Sequence, residues 1–182
     1  MKLFVSPHND DAVLFGAFTL QRERPLVLTV FDSHVQVARG NAHCDAATRR
    51  NEDIAAIRGV LGCAIQFGGV PDDNPDPGKV RAALEKWALA AEVWLPAVEV
   101  DGHAQHNLVG EIGLEVFSRA IVHRYLTYTT AGKSSHGRVV PFTGAMLRNK
   151  LQAMICYQTQ IETDSLGCWP HFARNQYEYL AD

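Results

Sequence analysis

From Lys2 to Ser6 the chain is a short apolar run of the kind that forms a buried strand, and beyond it Val13, Ala17 and Leu20 recur at helical spacing. A second apolar run, Leu26 to Phe31, predicts another strand. Asp45 is placed to cap a helix through Ile54, Ile57 and Leu61, and Gly62 stands where a C-terminal glycine ends one. Cys63 to Phe67 predicts the third strand, and the proline- and aspartate-rich stretch from Gly68 to Gly78 predicts a surface loop. Asp76 as cap and Pro77 at the first helical position then open a helix with Val80, Leu84, Trp87 and Ala91 on one face, leading to a strand over Glu92 to Leu95. Asn107 is the expected cap of a helix through Val109, Ile112, Val116 and Ala120, which runs into Tyr125 to Tyr128. Thr143 to Gln158 is helical in pattern through Leu147, Leu151 and Met154, whereas residues 167 to 182 have no assignable period. Parallel strands need crossover connections, usually helices. The alternation therefore predicts an α/β fold, a three-layer Rossmann-like sandwich with a mostly parallel central sheet and helices on both faces.

Length refines this picture: 182 residues suit a single domain, 1–182, large enough to fold without a disulfide or structural metal. Any metal is then expected to be catalytic. The formal net charge of -3 provides no basic footprint, so no nucleic-acid partner is expected and a small polar molecule fits better. Cys44, Cys63, Cys156 and Cys168 are widely separated and form no C-x-x-C pair, which reads as reduced thiols. The opening apolar run is cut short by Pro7, His8, Asn9, Asp10 and Asp11, far short of a signal peptide or a membrane span. A cytoplasmic protein without a membrane partner is the expectation.

Two clusters carry candidate chemistry. Ser6-Pro7-His8-Asn9-Asp10-Asp11 directly follows the first strand, and His103-Ala104-Gln105-His106 follows the fourth. In an open α/β sheet, ligands bind beyond the carboxyl ends of strands, so the clusters should converge. His8 and Asp11, three apart at a helix entry, reach the same side of the first turn and can share an ion. With His106 they make two imidazoles and one carboxylate, a set that suits Zn2+, or another divalent transition metal, and leaves a position for water. Zinc would lower that water's pKa to about 7 and polarise a carbonyl. Asp10 is placed to take the water's proton as general base, and His103 to stabilise an oxyanion or protonate a leaving amine.

These segments resemble the motifs of the PIG-L/LmbE-like N-acetylglucosaminyl deacetylases, which carry His-x-Asp-Asp after the first strand and His-x-x-His much later. The resemblance extends to Arg49-x-x-Glu52-x-x-x-Ala56 with Leu61-Gly62, and to Lys150 with Tyr157-x-x-Gln160. It implies zinc on His8, Asp11 and His106, Asp10 as the base, His103 as its electrostatic partner and Arg49 as a substrate contact. The reaction implied is hydrolysis of an N-acyl group, an N-acetyl above all, on an amino sugar or sugar conjugate, with the metal's water as nucleophile. Asn9 stands where the family more often has proline, Ala12 replaces a common glutamate, and Gln105 replaces an aspartate that supports His103 in many members. The chain is compact for the family, so a pocket wall is either missing or supplied by a neighbouring subunit, and a homo-oligomer is one arrangement this leaves open.

Plainer readings stand beside these. Asp11 could merely cap a helix, with His103 and His106 exposed, and Arg49 could form a surface ion bridge to Asp53, four residues on. Gln105 is the best support for a rival function, a sugar- or partner-binding domain that has lost turnover. A dinucleotide-binding enzyme is disfavoured, because the first strand-to-helix turn carries acids instead of the glycines a pyrophosphate needs.

Overall fold

The computed structural model describes residues 1–32, 45–127, 137–163 and 177–181. Tyr128, Cys44 and Cys168 lie outside them. Cys63 and Cys156 are free thiols. The strands are β1 (Lys2–His8), β2 (Leu26–Phe31), β3 (Ile65–Val70), β4 (Glu92–Pro96), β5 (Ile121–Tyr125), β6 (Arg138–Val139) and β7 (Tyr179–Leu180). The helices are α1 (Asp11–Glu23), α2 (Ala46–Asp53, continued by a π-helical segment Ile54–Val60), α3 (Pro77–Glu85), α4 (Ala104–Val116), α5 (Gly144–Ile155) and α6 (Gln158–Thr163). They build one seven-stranded sheet in the order β3-β2-β1-β4-β5-β7-β6. The first five strands run parallel and β7 pairs antiparallel with β5 and β6.

The near-continuous apolar character of β1 follows from burial on both faces. Successive side chains of a strand point opposite ways. Phe4 packs with Val13 and Ala17 of α1, Ile57, and Met154 of α5. Leu3 and Val5 pack on the other face with Val80 and Leu84 of α3 and Val109 and Ile112 of α4. This is the predicted three-layer α/β arrangement. Gly16 lets α1 approach the sheet, since a Cβ there would fall 2.3 Å from the Phe4 ring.

Several boundaries differ from the sequence reading. Helix α4 ends at Val116, short of Ala120, and β5 occupies Ile121–Tyr125 where the reading pointed to Tyr125 to Tyr128. β3 continues through Gly68 and Gly69 to Val70, into the stretch expected as loop; a Cβ on Gly68 would sit 2.8 Å from the Val30 carbonyl oxygen, so this glycine marks close strand contact instead of a turn. The helix from Asp45 becomes π-helical after Asp53. Helix α4 begins at Ala104 with His103 at its N-cap, because Asn107 is not a cap: its side chain holds the preceding loop, accepting from the Glu99 N–H at 3.0 Å and donating to the Glu99 carbonyl at 2.7 Å.

The C-terminal strand is tied to the body by a buried ion pair. Lys150 Nζ lies 2.8 Å from Glu178 Oε1, and both side chains are almost wholly enclosed. They also divide one rung of α1 between them: Glu178 accepts the Phe18 N–H at 2.9 Å, and Lys150 donates to the Leu14 carbonyl at 2.8 Å. Removing one partner strands a charge in the interior. Lys150→Met should therefore cost about 3–5 kcal/mol in urea unfolding, whereas Lys150→Met with Glu178→Leu should recover a large part of that, since no unpaired charge is then left buried.

Candidate active site

The strand order places the carboxyl ends of β1 and β4 side by side, at the point where the sheet reverses its direction of winding. His8 ends β1, and His103 and His106 open α4 just beyond β4. The two clusters predicted to converge do converge. Nδ1 of His8 lies 3.2 Å from Oδ2 of Asp11 and 3.2 Å from Nε2 of His106, and that Nε2 is 3.0 Å from the same Asp11 oxygen. His106 and Asp11 are fully buried, so neither is the exposed or merely capping residue of the plainer reading. Capping is done instead by Ser6, whose Oγ accepts the Ala12 N–H at 3.0 Å and donates to the His8 carbonyl at 2.8 Å.

The turn between β1 and α1 is strained at Asp10. Asp10 has φ 93°, a conformation unusual for any residue but glycine. What holds it is Asp53, a buried carboxylate that accepts from Asn9 Nδ2 at 2.8 Å, the Asp10 N–H at 3.3 Å, Thr29 Oγ1 at 2.9 Å and the Tyr157 hydroxyl at 2.6 Å. Asn9 thus restrains the turn through its side chain, where the family's proline would do so through its ring. Asp53 is therefore not the surface partner of Arg49. Arg49 donates from Nη2 to the Asn9 carbonyl at 3.0 Å and comes within 3.8 Å of Asp10 Oδ2, which brings it into the site.

Partners behind the histidines orient them. Nε2 of His8 meets Oε1 of Gln105 at 2.8 Å, and Gln105 Nε2 donates to both the carbonyl and the carboxylate of Asp72, at 2.7 and 2.8 Å. Gln105 thus serves His8. Nδ1 of His106 is 3.0 Å from Thr127 Oγ1, just beyond the end of β5. Asp53, Asp72 and Thr127 are the residues that sequence reading missed as part of the site. Thr127 and Asp72 follow strands at the same edge of the sheet, the positional signal that flagged the histidines; Asp53 closes the polar run Arg49-Arg50-Asn51-Glu52, and nothing in its sequence context marks it.

Adjacent acids are driven apart electrostatically. Burial acts to raise Asp11, but the facing His106 and His8 outweigh it and hold this carboxyl well below the usual range. For Asp10, burial dominates and pushes it up to about 8, against the opposing pull of Arg49 and with the negative charge of Asp11 adding to the rise. Burial acts to lower His8, yet its hydrogen bond to Asp11 and that residue's charge leave it raised. His103 is pushed down to about 4, by burial first and then by the charges of His106 and His8, so it is a neutral imidazole at physiological pH.

His8, His103 and His106 each offer a ligand atom within 4.8 Å of the others, so the group could hold a metal ion. Asp11 sharpens that fit. Ligands around a tetrahedral ion with bonds of about 2.0 Å stand about 3.3 Å apart. The spacings of 3.0 to 3.2 Å among His8, Asp11 and His106 match it. Borderline nitrogen and oxygen donors of this kind suit zinc and its neighbours.

Fold and side-chain geometry together define an α/β protein with a histidine and carboxylate centre at its sheet's switch point. No family model matches the sequence, and no curated protein matches it. Solved structures do share the fold. A deacetylase of the teicoplanin biosynthetic pathway is 22% identical, with a TM-score of 0.73 over 95% of this chain and 88% of its own. The N,N'-diacetylchitobiose deacetylase of Pyrococcus horikoshii is 19% identical, with a TM-score of 0.76 over 98% of this chain and 82% of its own. These are the deacetylases whose fold the motif resemblance implied. The 4-carboxy-2-hydroxymuconate hydratase of Pseudomonas putida is also similar, at 16% identity and a TM-score of 0.67 over 96% of this chain and 84% of its own. Among the described residues, no helix is long and apolar enough to cross a membrane.

The raised Asp10 has a consequence for stability. A carboxyl with a higher pKa folded than unfolded favours the folded state at low pH, and that advantage is lost as pH rises from about 4 to about 8. Asp10→Asn, which tolerates the positive φ, removes the penalty of an ionised Asp10. In chelator-treated protein it should raise Tm by a few degrees at pH about 8 and make no difference near pH 4, as thermal melts across that range will read.

Proposed function

We propose that residues 1–182 act as one metal-dependent hydrolase domain that removes an N-acyl group, an N-acetyl above all, from a small amino sugar or sugar conjugate. The observation that carries this reading is the meeting of His8, Asp11 and His106 at ligand spacing, with the strained, Arg49-facing Asp10 next in the chain. Two fold neighbours that are deacetylases support the choice among the chemistries such a centre serves. His8, Asp11 and His106 would hold the ion, with Zn2+ the best match to the donor set. When bound, a divalent ion of this kind supplies an acidified water and polarises the substrate carbonyl.

Asp10 takes the proton of the attacking water as its oxygen bonds to the carbonyl carbon. A nearby divalent charge would draw the raised Asp10 back toward ionisation, the state a base requires. His103, neutral, donates an N–H to the carbonyl oxygen as negative charge builds there; between the two roles open to it from sequence, its low pKa favours this one. The proton held by Asp10 then passes to the leaving nitrogen, the C–N bond breaks, and a carboxylate and an amine depart. Arg49 contacts the substrate beside Asp10. Gln105, the residue that favoured a binding-only domain, instead hydrogen-bonds His8.

Metal content and acetate release from N-acetylglucosamine conjugates test the proposal together. Asp10→Asn should keep its zinc and lose roughly 10²- to 10⁴-fold in kcat, while His106→Ala should lose the metal. Arg49→Ala should raise KM with zinc content unchanged. Full turnover in Asp10→Asn defeats the mechanism, and a wild-type protein that holds zinc yet hydrolyses no amide favours a binding domain.

A further inference from the structure

We propose that Gln105, anchored by Asp72, is a positioning residue that locks the His8 imidazole in the tautomer carrying its proton on Nε2, so that the Nδ1 lone pair stays aimed at Asp11 and His106. The inference rests on the metal-binding role given above to His8. It begins with the amide of Gln105. Its nitrogen lies 2.7 Å from the Asp72 carbonyl oxygen and 2.8 Å from the Asp72 carboxylate, both of which only accept. That fixes which end of the amide is which: the end facing His8 is the oxygen, at 2.8 Å from Nε2. An amide oxygen accepts and cannot donate. His8 Nε2 must therefore carry the hydrogen, and in the neutral ring the lone pair falls on Nδ1.

Nδ1 of His106 faces the Thr127 hydroxyl, which donates or accepts with equal ease and so does not by itself choose a tautomer. The ring of Phe31 stacks on His8 with centroids 5.4 Å apart and hinders the ring flip that would exchange its nitrogens. Gln105 thus fixes the tautomer of His8. The same amide also joins the first turn of α4 to the loop after β3. Partners of this kind behind a ligand histidine typically set metal affinity by about 10- to 100-fold.

The test uses full-length chain labelled with 15N-histidine, in which nitrogen shifts of the chelator-treated protein report each tautomer and competition with a chromophoric chelator reports zinc affinity. Wild type should keep a proton on His8 Nε2 throughout, whether or not Nδ1 also carries one toward the ionised Asp11 in the absence of metal. Gln105→Met, similar in volume but without the acceptor, should show mixed His8 tautomers and zinc binding about 10- to 100-fold weaker. Gln105→Leu should behave as Gln105→Met does. Asp72→Ala should change affinity far less than either, since the residue-72 carbonyl still anchors the amide. A purely packing role predicts that Gln105→Met leaves both readouts unchanged. A single Nε2–H tautomer and wild-type zinc affinity in Gln105→Met overturn the proposal; if that variant does not fold, the same result in Gln105→Leu does so. Because the tautomer is read without metal, a wild-type protein that fails to bind zinc sinks the functional reading and leaves this outcome separately legible.

Discussion

The Asp53 carboxylate is enclosed in protein and gathers four donors: the side chains of Asn9, Thr29 and Tyr157 and the backbone N–H of Asp10. Burial pushes its pKa up while those donors pull it down, a balance that only a complete set of partners can maintain. Its partners come from the β1–α1 turn, the middle of β2 and the break between α5 and α6. The positive φ of Asp10 is tolerable because this one group holds the backbone on its far side. With that turn held, His8 faces back across the site, Asp11 points into the interior and Asp10 faces Arg49. Three adjacent functional directions follow from one strained residue and its buried support.

Electrostatics then separates two neighbouring acids that composition alone would treat alike. Asp11 meets two imidazoles and is held ionised, which suits a ligand; Asp10 has one cation at 3.8 Å and little solvent, and is raised. His103 shows the same logic with opposite sign: burial first, and then its histidine neighbours, push it down and keep it neutral. Hydration, deacetylation and other chemistries occur on this fold, as the hydratase among its neighbours makes plain. The assignment of roles accordingly rests on these local fields and not on the sheet that carries them.

Much of the architecture was legible beforehand. Apolar spacing located every strand from β1 to β4 and the helices between them, because burial on one or both faces writes itself directly into sequence period. Glycine misled at Gly68, where the reason for it was close contact between neighbouring strands and not a turn. Asn107 misled in the same way: its side chain matched a cap, but it holds Glu99. The short β6 and β7 left no period to read, since two-residue strands are too brief for alternation to show.

By itself, then, the sequence determined the layered α/β fold and the convergence of two histidine-bearing segments, because periodicity and the strand-end rule are local and survive without coordinates. Tertiary structure alone decided which polar side chain serves which: Asp53 to the turn and not to Arg49, Gln105 to His8 and not to His103, Thr127 to His106. Those pairings depend on strand order and on side-chain directions across dozens of residues of chain. A hydrogen bond needs its partner within a few tenths of an ångström, a precision that no spacing along a sequence encodes.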